Sequence, residues 1–157
     1  MDVGEFTART ERLKARLYRT AFLYLGSESI ALNAVDETIY RGLMSLKKLR
    51  RPEYFETWMT RILINECKKE LRRRKREQPL DTLPETAEGA AEEFDKFPLK
   101  EAILRLPQEL KEVVILRYFS DFTLAETAQS LEIPQGTVVT RQRRALGLLK
   151  LELSEEE

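Results

Sequence analysis

The sequence predicts an all-α protein: two small helical domains joined by an acidic flexible linker. Three observations carry this. Strand signals are almost absent, while apolar residues recur at three- and four-residue steps through most of the chain. Charge is segregated although the net charge of the 157 residues is zero. Residues 1–76 hold 18 basic and 10 acidic side chains, residues 77–96 hold one basic and seven acidic, and residues 97–157 hold eight basic and ten acidic. Finally, residues 123–149 parse as a short helix, a tight turn and a longer helix with one basic side. The expected division is a domain over 1–76, a linker over 77–96 and a second domain over 97–153.

In the first domain, residues 6–25 place Leu13, Leu17, Thr20/Ala21 and Tyr24 at helical spacing, and Gly26 can end the helix in a left-handed cap. Ser27 or Ser29 can start a second helix, whose Leu32, Val35, Ile39, Leu43 and Leu46 form an apolar stripe. A basic connector follows over residues 47–54, with Lys47, Lys48, Arg50 and a stop at Pro52. The third helix, 55–76, gathers Phe55, Met59, Ile62, Leu63 and Cys67 on one side, with Trp58 at its margin. Arg61, Asn65, Lys68, Arg72, Lys75 and Arg76 make a basic stripe on another side. A charge run at a helix end is ordinarily solvated, and cations there suit the dipole. Here the aromatic residues Tyr54, Phe55 and Trp58 stand at the start of the stripe. Aromatic side chains beside a cationic groove stack unpaired bases while phosphates are neutralised. Core packing is the competing reading for Phe55 and Trp58.

The acidic stretch 77–96, with Pro79, Pro84 and Gly89, reads as an extended linker, either a passive tether or a strand that occupies a basic channel. Beyond it Leu99, Ile103 and Leu106 suggest a short helix. Pro107 can begin another, with Leu110, Val113, Val114 and residues 116–118 towards a core. Thr123 and Glu126 then form a capping box, and Leu124, Ala128 and Leu131 share a face. Pro134 suits the entry of the last helix. There Val138, Ala145 and Leu149 pack, while Gln135, Gly136, Thr137, Thr140, Arg141, Arg143 and Arg144 lie at its start or towards the other side. Guanidinium forks and hydroxyls on one face of a helix are what reading a major groove requires. An ordinary helical hairpin with a solvated basic side is the plainer alternative.

Composition narrows the function. The chain has no His, which removes His-based metal sites, Ser-His-Asp triads and imidazole acid–base catalysis. With no glycine-rich phosphate loop either, no enzyme and no cofactor are expected. The single Cys67 cannot form an internal disulfide and reads as a small core residue of a reducing compartment. There is no apolar run of membrane-span length and no apolar signal-peptide core near the start. The expectation is a cytoplasmic protein without membrane insertion.

The assembled pattern resembles the extracytoplasmic-function group of bacterial sigma factors, within the sigma-70 family. The resemblance rests on LPQELKEVVILRYF at 106–119, LAETA at 124–128, IPQGTV at 133–138 and RQRRA at 141–145, similar to the region that binds the −35 promoter element. FETWMTRILIN at 55–65 and LRRR at 71–74 are similar to the region that melts and reads the −10 element. DETI at 36–39 resembles the helix that docks on the polymerase clamp. The resemblance implies roles residue by residue. Gln135, Gly136, Thr137, Thr140, Arg141, Arg143 and Arg144 would contact the −35 duplex. Lys47, Lys48, Arg50, Tyr54, Trp58, Arg61, Asn65, Lys68 and Arg72 would contact the −10 strand. Asn33, Asp36, Glu37 and Tyr40 would face core polymerase. It also implies three partners: bacterial core RNA polymerase, promoter DNA and an anti-sigma factor. The sequence departs from the family where Asn33 and Asp36 replace the usual Asp and Gln, where Lys69 replaces a common Asp, and at Val139 and Arg143. A stand-alone helix-turn-helix regulator of duplex DNA, or a sigma-like interaction protein, are the alternatives.

Overall fold

The computed structural model describes residues 1–77 and 98–155, with side chains to residues 76 and 151. Apart from Glu77 and its backbone, the expected linker lies outside the described residues. Among the described residues the regular structure is all helical: α1 (Val3–Leu25), α2 (Glu28–Met44), α3 (Phe55–Glu77), α4 (Pro98–Arg105), α5 (Gln108–Val114), α6 (Leu124–Leu131) and α7 (Gln135–Glu155). Short 3-10 turns lie at Leu46–Lys48 and Pro52–Tyr54, and a π-helical turn at Ile115–Phe119. Helices α1–α3 form one cluster and α4–α7 a second.

Local signals set the helix ends. Asp2 caps α1 by accepting from the Glu5 amide at 2.7 Å. Gly26 closes α1 at φ 72°, in the left-handed region, with its amide on the Phe22 carbonyl at 2.7 Å. Ser27, rather than Ser29, caps α2. The apolar positions expected in α1 are all buried. Its last turn is buried on every side, because Phe22, Leu23 and Leu25 also meet neighbours.

The expected stripe on α2 requires correction. Val35 is buried and Ile39 half-buried, but Leu32 and Leu43 are exposed. The face turned inward is Ala31, Ala34, Val35, Thr38 and Gly42. The reason is close approach. Small residues let α2 lie tightly on α3 and α1, so its bulky apolar side chains point away.

In α3, Phe55, Met59, Leu63 and Cys67 are buried as expected, with Ile62 half-buried. A second buried face, Thr57, Thr60 and Ile64, was not expected. It meets α6 of the second cluster, where Thr57 donates to Gln129 at 3.3 Å and Ser130 donates to the Thr57 carbonyl at 3.5 Å.

In the second cluster Leu99 is exposed, while Ile103, Leu106, Leu110, Val113 and Val114 are buried. The π-helical turn, closed by the Ser120 amide on the Ile115 carbonyl at 3.0 Å, changes the phase of the chain. Leu116 stays in the core as expected, but Tyr118 and Phe119 face outward. The capping box at Thr123 and Glu126 is present in both directions, at 2.9 and 3.0 Å. Residue Glu132, in the left-handed region at φ 57°, ends α6, and Val138, Ala145 and Leu149 anchor α7 in the core.

Candidate nucleic-acid interface

The helix-turn-helix is built from α6, the turn 132–134 and α7. Buried Leu131 and Val138 fix the angle between its helices, and Pro134 accepts the Thr137 and Val138 amides at 3.0 and 3.3 Å. This presents Gln135, Gly136, Thr140, Arg143 and Arg144 to solvent, with Thr137 half-buried beside them. The Thr140 hydroxyl donates to the Gly136 carbonyl at 3.1 Å, so its oxygen remains an acceptor. Arg141 is less free: its guanidinium is half-buried, 3.8 Å from Glu109. Arg143 and Arg144, by contrast, are exposed.

The second basic surface is split by the fold. Lys47, Lys48 and Arg50 lie exposed in the loop between α2 and α3, Tyr54 is exposed and Trp58 half-buried. Two arginines of α1 brace the end of that loop and the start of α3. Arg9 donates to the Pro52 carbonyl at 2.8 Å, and Arg16 pairs with Glu56 at 3.0 Å. With Arg12 they line a cleft of about 990 Å³ between α1, residues 52–57 and α6. Reasoning from sequence missed these arginines, although their spacing places them on one face of α1. Phe55 is a core residue, edge-on to Phe6 at 5.8 Å between ring centres.

Along the α3 stripe, Asn65 and Arg72 are exposed. Asn65 borders a groove of about 450 Å³ between α2 and α3, with Tyr40, Met44 and Ile62. Arg41 bridges this groove, 3.1 Å from Glu37 and 2.7 Å from Glu66. Arg61 and Lys68 instead face the second cluster. Arg61 lies 4.0 Å from Glu132, and Lys68 lies 3.7 Å from Glu112.

Glu112 sits at the centre of a buried polar group. It accepts the Tyr24 hydroxyl at 2.8 Å, while Gln108 donates to the same hydroxyl at 2.9 Å. Lys111 donates to the Tyr24 carbonyl at 2.8 Å. Burial holds the Glu112 carboxyl above its usual range, against the opposing pull of Tyr24 and Lys68. Burial likewise holds the Lys111 ammonium below its usual range.

A third surface lies on α2. Asn33, Asp36 and Tyr40 are exposed and Glu37 is half-buried. Leu32, Leu43 and Met44 stand exposed on the same helix. These three are the residues sequence reasoning placed elsewhere or overlooked. Their signal was present as large apolar residues left over once the small-residue face is assigned inward. Among the described residues no group of His, Cys, Asp or Glu is arranged to hold a metal ion.

Comparison with known proteins agrees with this layout. The pattern defined as Sigma-70 region 2 matches residues 10–77, and that of Sigma-70, region 4 matches residues 102–151. The RNA polymerase sigma factor SigV of Bacillus subtilis is 34% identical over 146 residues, covering 92% of this chain and 88% of SigV. The fold is similar to that of the sigma factor RpoE from Bartonella quintana, solved in complex with the anti-sigma factor NepR. The TM-score is 0.79 at 21% identity, over 99% of this chain and 100% of that one. It is also similar to CnrH, solved in complex with the cytosolic domain of CnrY. There the TM-score is 0.78 at 20% identity, over 99% of this chain and 92% of that one. These complexes correct the expectation of a simply cytoplasmic protein. Both solved sigma factors are held by another protein, and CnrH by the cytosolic domain of its partner. What the structure shows is narrower: no helix among the described residues is long and apolar enough to cross a membrane.

Proposed function

The chain belongs to the sigma-70 family, in its extracytoplasmic-function group, the RNA polymerase sigma factors that direct promoter recognition, and from that premise we propose how its surfaces divide the work. It is not an enzyme; polymerase supplies the chemistry. The domain over 1–76 docks on core polymerase and handles the −10 element, the segment 77–96 links, and the domain over 97–153 reads the −35 element.

The observation that carries this assignment is the exposure on α7 of Thr140, Arg143 and Arg144, on the helix whose opposite side is locked into the core. A bidentate arginine contact to guanine discriminates bases, while a hydroxyl accepts either partner. Gln135, Gly136, Thr137 and Arg141 complete the face. On the −10 side, Lys47, Lys48, Arg50, Tyr54, Trp58, Arg61, Asn65, Lys68 and Arg72 receive the opened strand. Unstacking each base costs a few kcal/mol, offset by stacking on aromatic residues and by phosphate neutralisation. Core docking uses Asn33, Asp36, Glu37 and Tyr40 together with Leu32, Leu43 and Met44, because an exposed apolar strip flanked by polar groups suits a protein partner. Two tethered modules gain affinity only when both sites fit the span of the linker, so promoter spacing matters. An anti-sigma factor is the further partner, in keeping with the NepR complex of RpoE.

Run-off transcription tests the assignment. Purified bacterial core polymerase is assayed with and without this chain on a library of genomic promoter fragments. New, discrete start sites with a shared spacing between two upstream elements are expected. The same starts with and without the chain would refute it.

A further inference from the structure

We propose that the cleft between α1, residues 52–57 and α6 is a binding site for a purine nucleotide, whose phosphates lie on the α1 arginines and whose base stacks on Tyr54. The proposal goes beyond promoter recognition and does not depend on how the DNA-reading surfaces are assigned.

Arg9, Arg12 and Arg16 follow steps of three and four, which puts the β-carbons of neighbours about 5–6 Å apart on one helix face. All three line the cleft. The outer two are already held. Arg9 pairs with Glu5 at 2.8 Å and donates to the Pro52 carbonyl, and Arg16 pairs with Glu56 at 3.0 Å. Arg12, between them, is exposed and has no hydrogen bond or ion pair among the described residues. Two fixed guanidiniums thus flank a free one. An anion entering here meets donors whose conformational freedom is largely spent, which lowers the entropic cost of binding. Guanidinium forks also match phosphate oxygens two at a time.

A bare phosphate would leave most of the cleft empty. Its volume of about 990 Å³ lies at the upper end of the range for small-molecule sites, about 300–1,000 Å³. Tyr54, 41% exposed, offers a ring for stacking beside the apolar Pro52 and Phe55. The Thr57 hydroxyl meets the Gln129 amide oxygen at 3.3 Å, so the Gln129 amide nitrogen keeps its donors for a ligand. Three carboxylates also line the cleft. Glu56 is paired with Arg16, and Glu126 accepts the Thr123 amide at 2.9 Å. Glu53 is exposed and has no partner among the described residues. An acceptor-only group next to a stacking ring suits the exocyclic amine of a purine. Charges of both signs thus favour a ligand that is anionic at one end and carries N–H donors at the other.

GDP is titrated into the full chain and followed by calorimetry, beside pyrophosphate and guanosine as its two halves. One saturable site is expected for GDP, with each half binding more weakly, and the amide signals of residues 52–57 and 125–129 should shift in NMR spectra as it fills. Arg12→Ala should weaken GDP binding about tenfold, as for loss of a charge-assisted hydrogen bond, and Arg12→Lys by less. Arg19→Ala, which removes an exposed arginine of the same helix outside the cleft, should leave it unchanged. Pyrophosphate binding as tightly as GDP would leave the base without a place and overturn the site. Equal losses from Arg12→Ala and Arg19→Ala would reduce it to general attraction by a basic helix, and the absence of a saturable GDP isotherm would dismiss it outright.

Discussion

Gly42 of α2 lies so close to Met59 of α3 that a β-carbon on it would stand 2.6 Å from the Met59 sulfur and 3.3 Å from the Phe6 ring. Met59 is fully buried, so the contact can be relieved only by moving one helix or repacking the core. This approach is what turns the larger side chains of α2 outward. Gly42→Ala gains helix propensity of about 1 kcal/mol, yet overpacking of roughly 1–3 kcal/mol outweighs it. A net loss is expected in urea denaturation, and a larger one for Gly42→Val. Unchanged midpoints for both would show that the interface relaxes freely.

The capping box at Thr123 and Glu126 gives a second prediction. Thr123→Ala removes one reciprocal partner and should cost about 1 kcal/mol. The loss should appear in the denaturation midpoint and, through a loosened α6–α7 turn, in duplex binding. Thr123→Ser should retain both.

Arg144→Ala should weaken promoter use most at one base position of the −35 element, by about 1–3 kcal/mol if the guanidinium grips a base edge in two places. Transcription from a set of single-base promoter variants measures this. A uniform decrease across the set would assign Arg144 to a phosphate instead.

The two surfaces bordering the α2–α3 groove should separate by function. Asn65→Ala should impair use of duplex promoters far more than association with core polymerase. Met44→Asp, placing a charge on the exposed apolar strip, should do the reverse. Pull-down of core polymerase and run-off transcription give the two readouts. Equal losses in both assays from Asn65→Ala would remove it from the strand-binding set.

The seam between the halves should respond to pH in two directions. Glu112, raised by burial, takes up a proton more readily when closed, so its contribution to closure is fully present below the ordinary carboxyl pKa and is lost as pH rises through the raised value. Lys111, lowered by burial, contributes fully above the ordinary lysine pKa and loses that contribution as pH falls through the lowered value. Around them lie Tyr24, Lys68, Arg74, Glu109, Arg141 and Cys67. Closure should therefore loosen as Glu112 loses its proton and as Lys111 gains one. X-ray scattering over a pH series should show the radius of gyration growing as pH rises through the Glu112 transition and as it falls through the Lys111 transition. A steady trend from one end to the other would mean that a single group dominates.

Much of this was legible from local chemistry. The left-handed cap at Gly26, the box at Thr123 and Glu126, and the packed side of α7 are decided within a few residues, and reading spacing suffices. The α2 stripe was misread because counting large apolar residues favours Leu32 and Leu43, whereas close helix approach selects Ala31, Ala34 and Gly42. The outward turn of Tyr118 depends on a π-helical turn that periodicity does not announce. The seam escaped entirely: Tyr24 and Glu112 are 88 positions apart, and nothing nearby in sequence marks either as the other's partner.

Position 132 shows where such demands collide. Its backbone adopts φ 57°, a conformation that costs an L-residue about 1–2 kcal/mol and a glycine almost nothing. Glycine there would settle the helix-turn-helix, but it would also erase the carboxylate that meets Arg61. The same substitution would therefore relax the backbone of the turn and discard an ion pair between the two clusters.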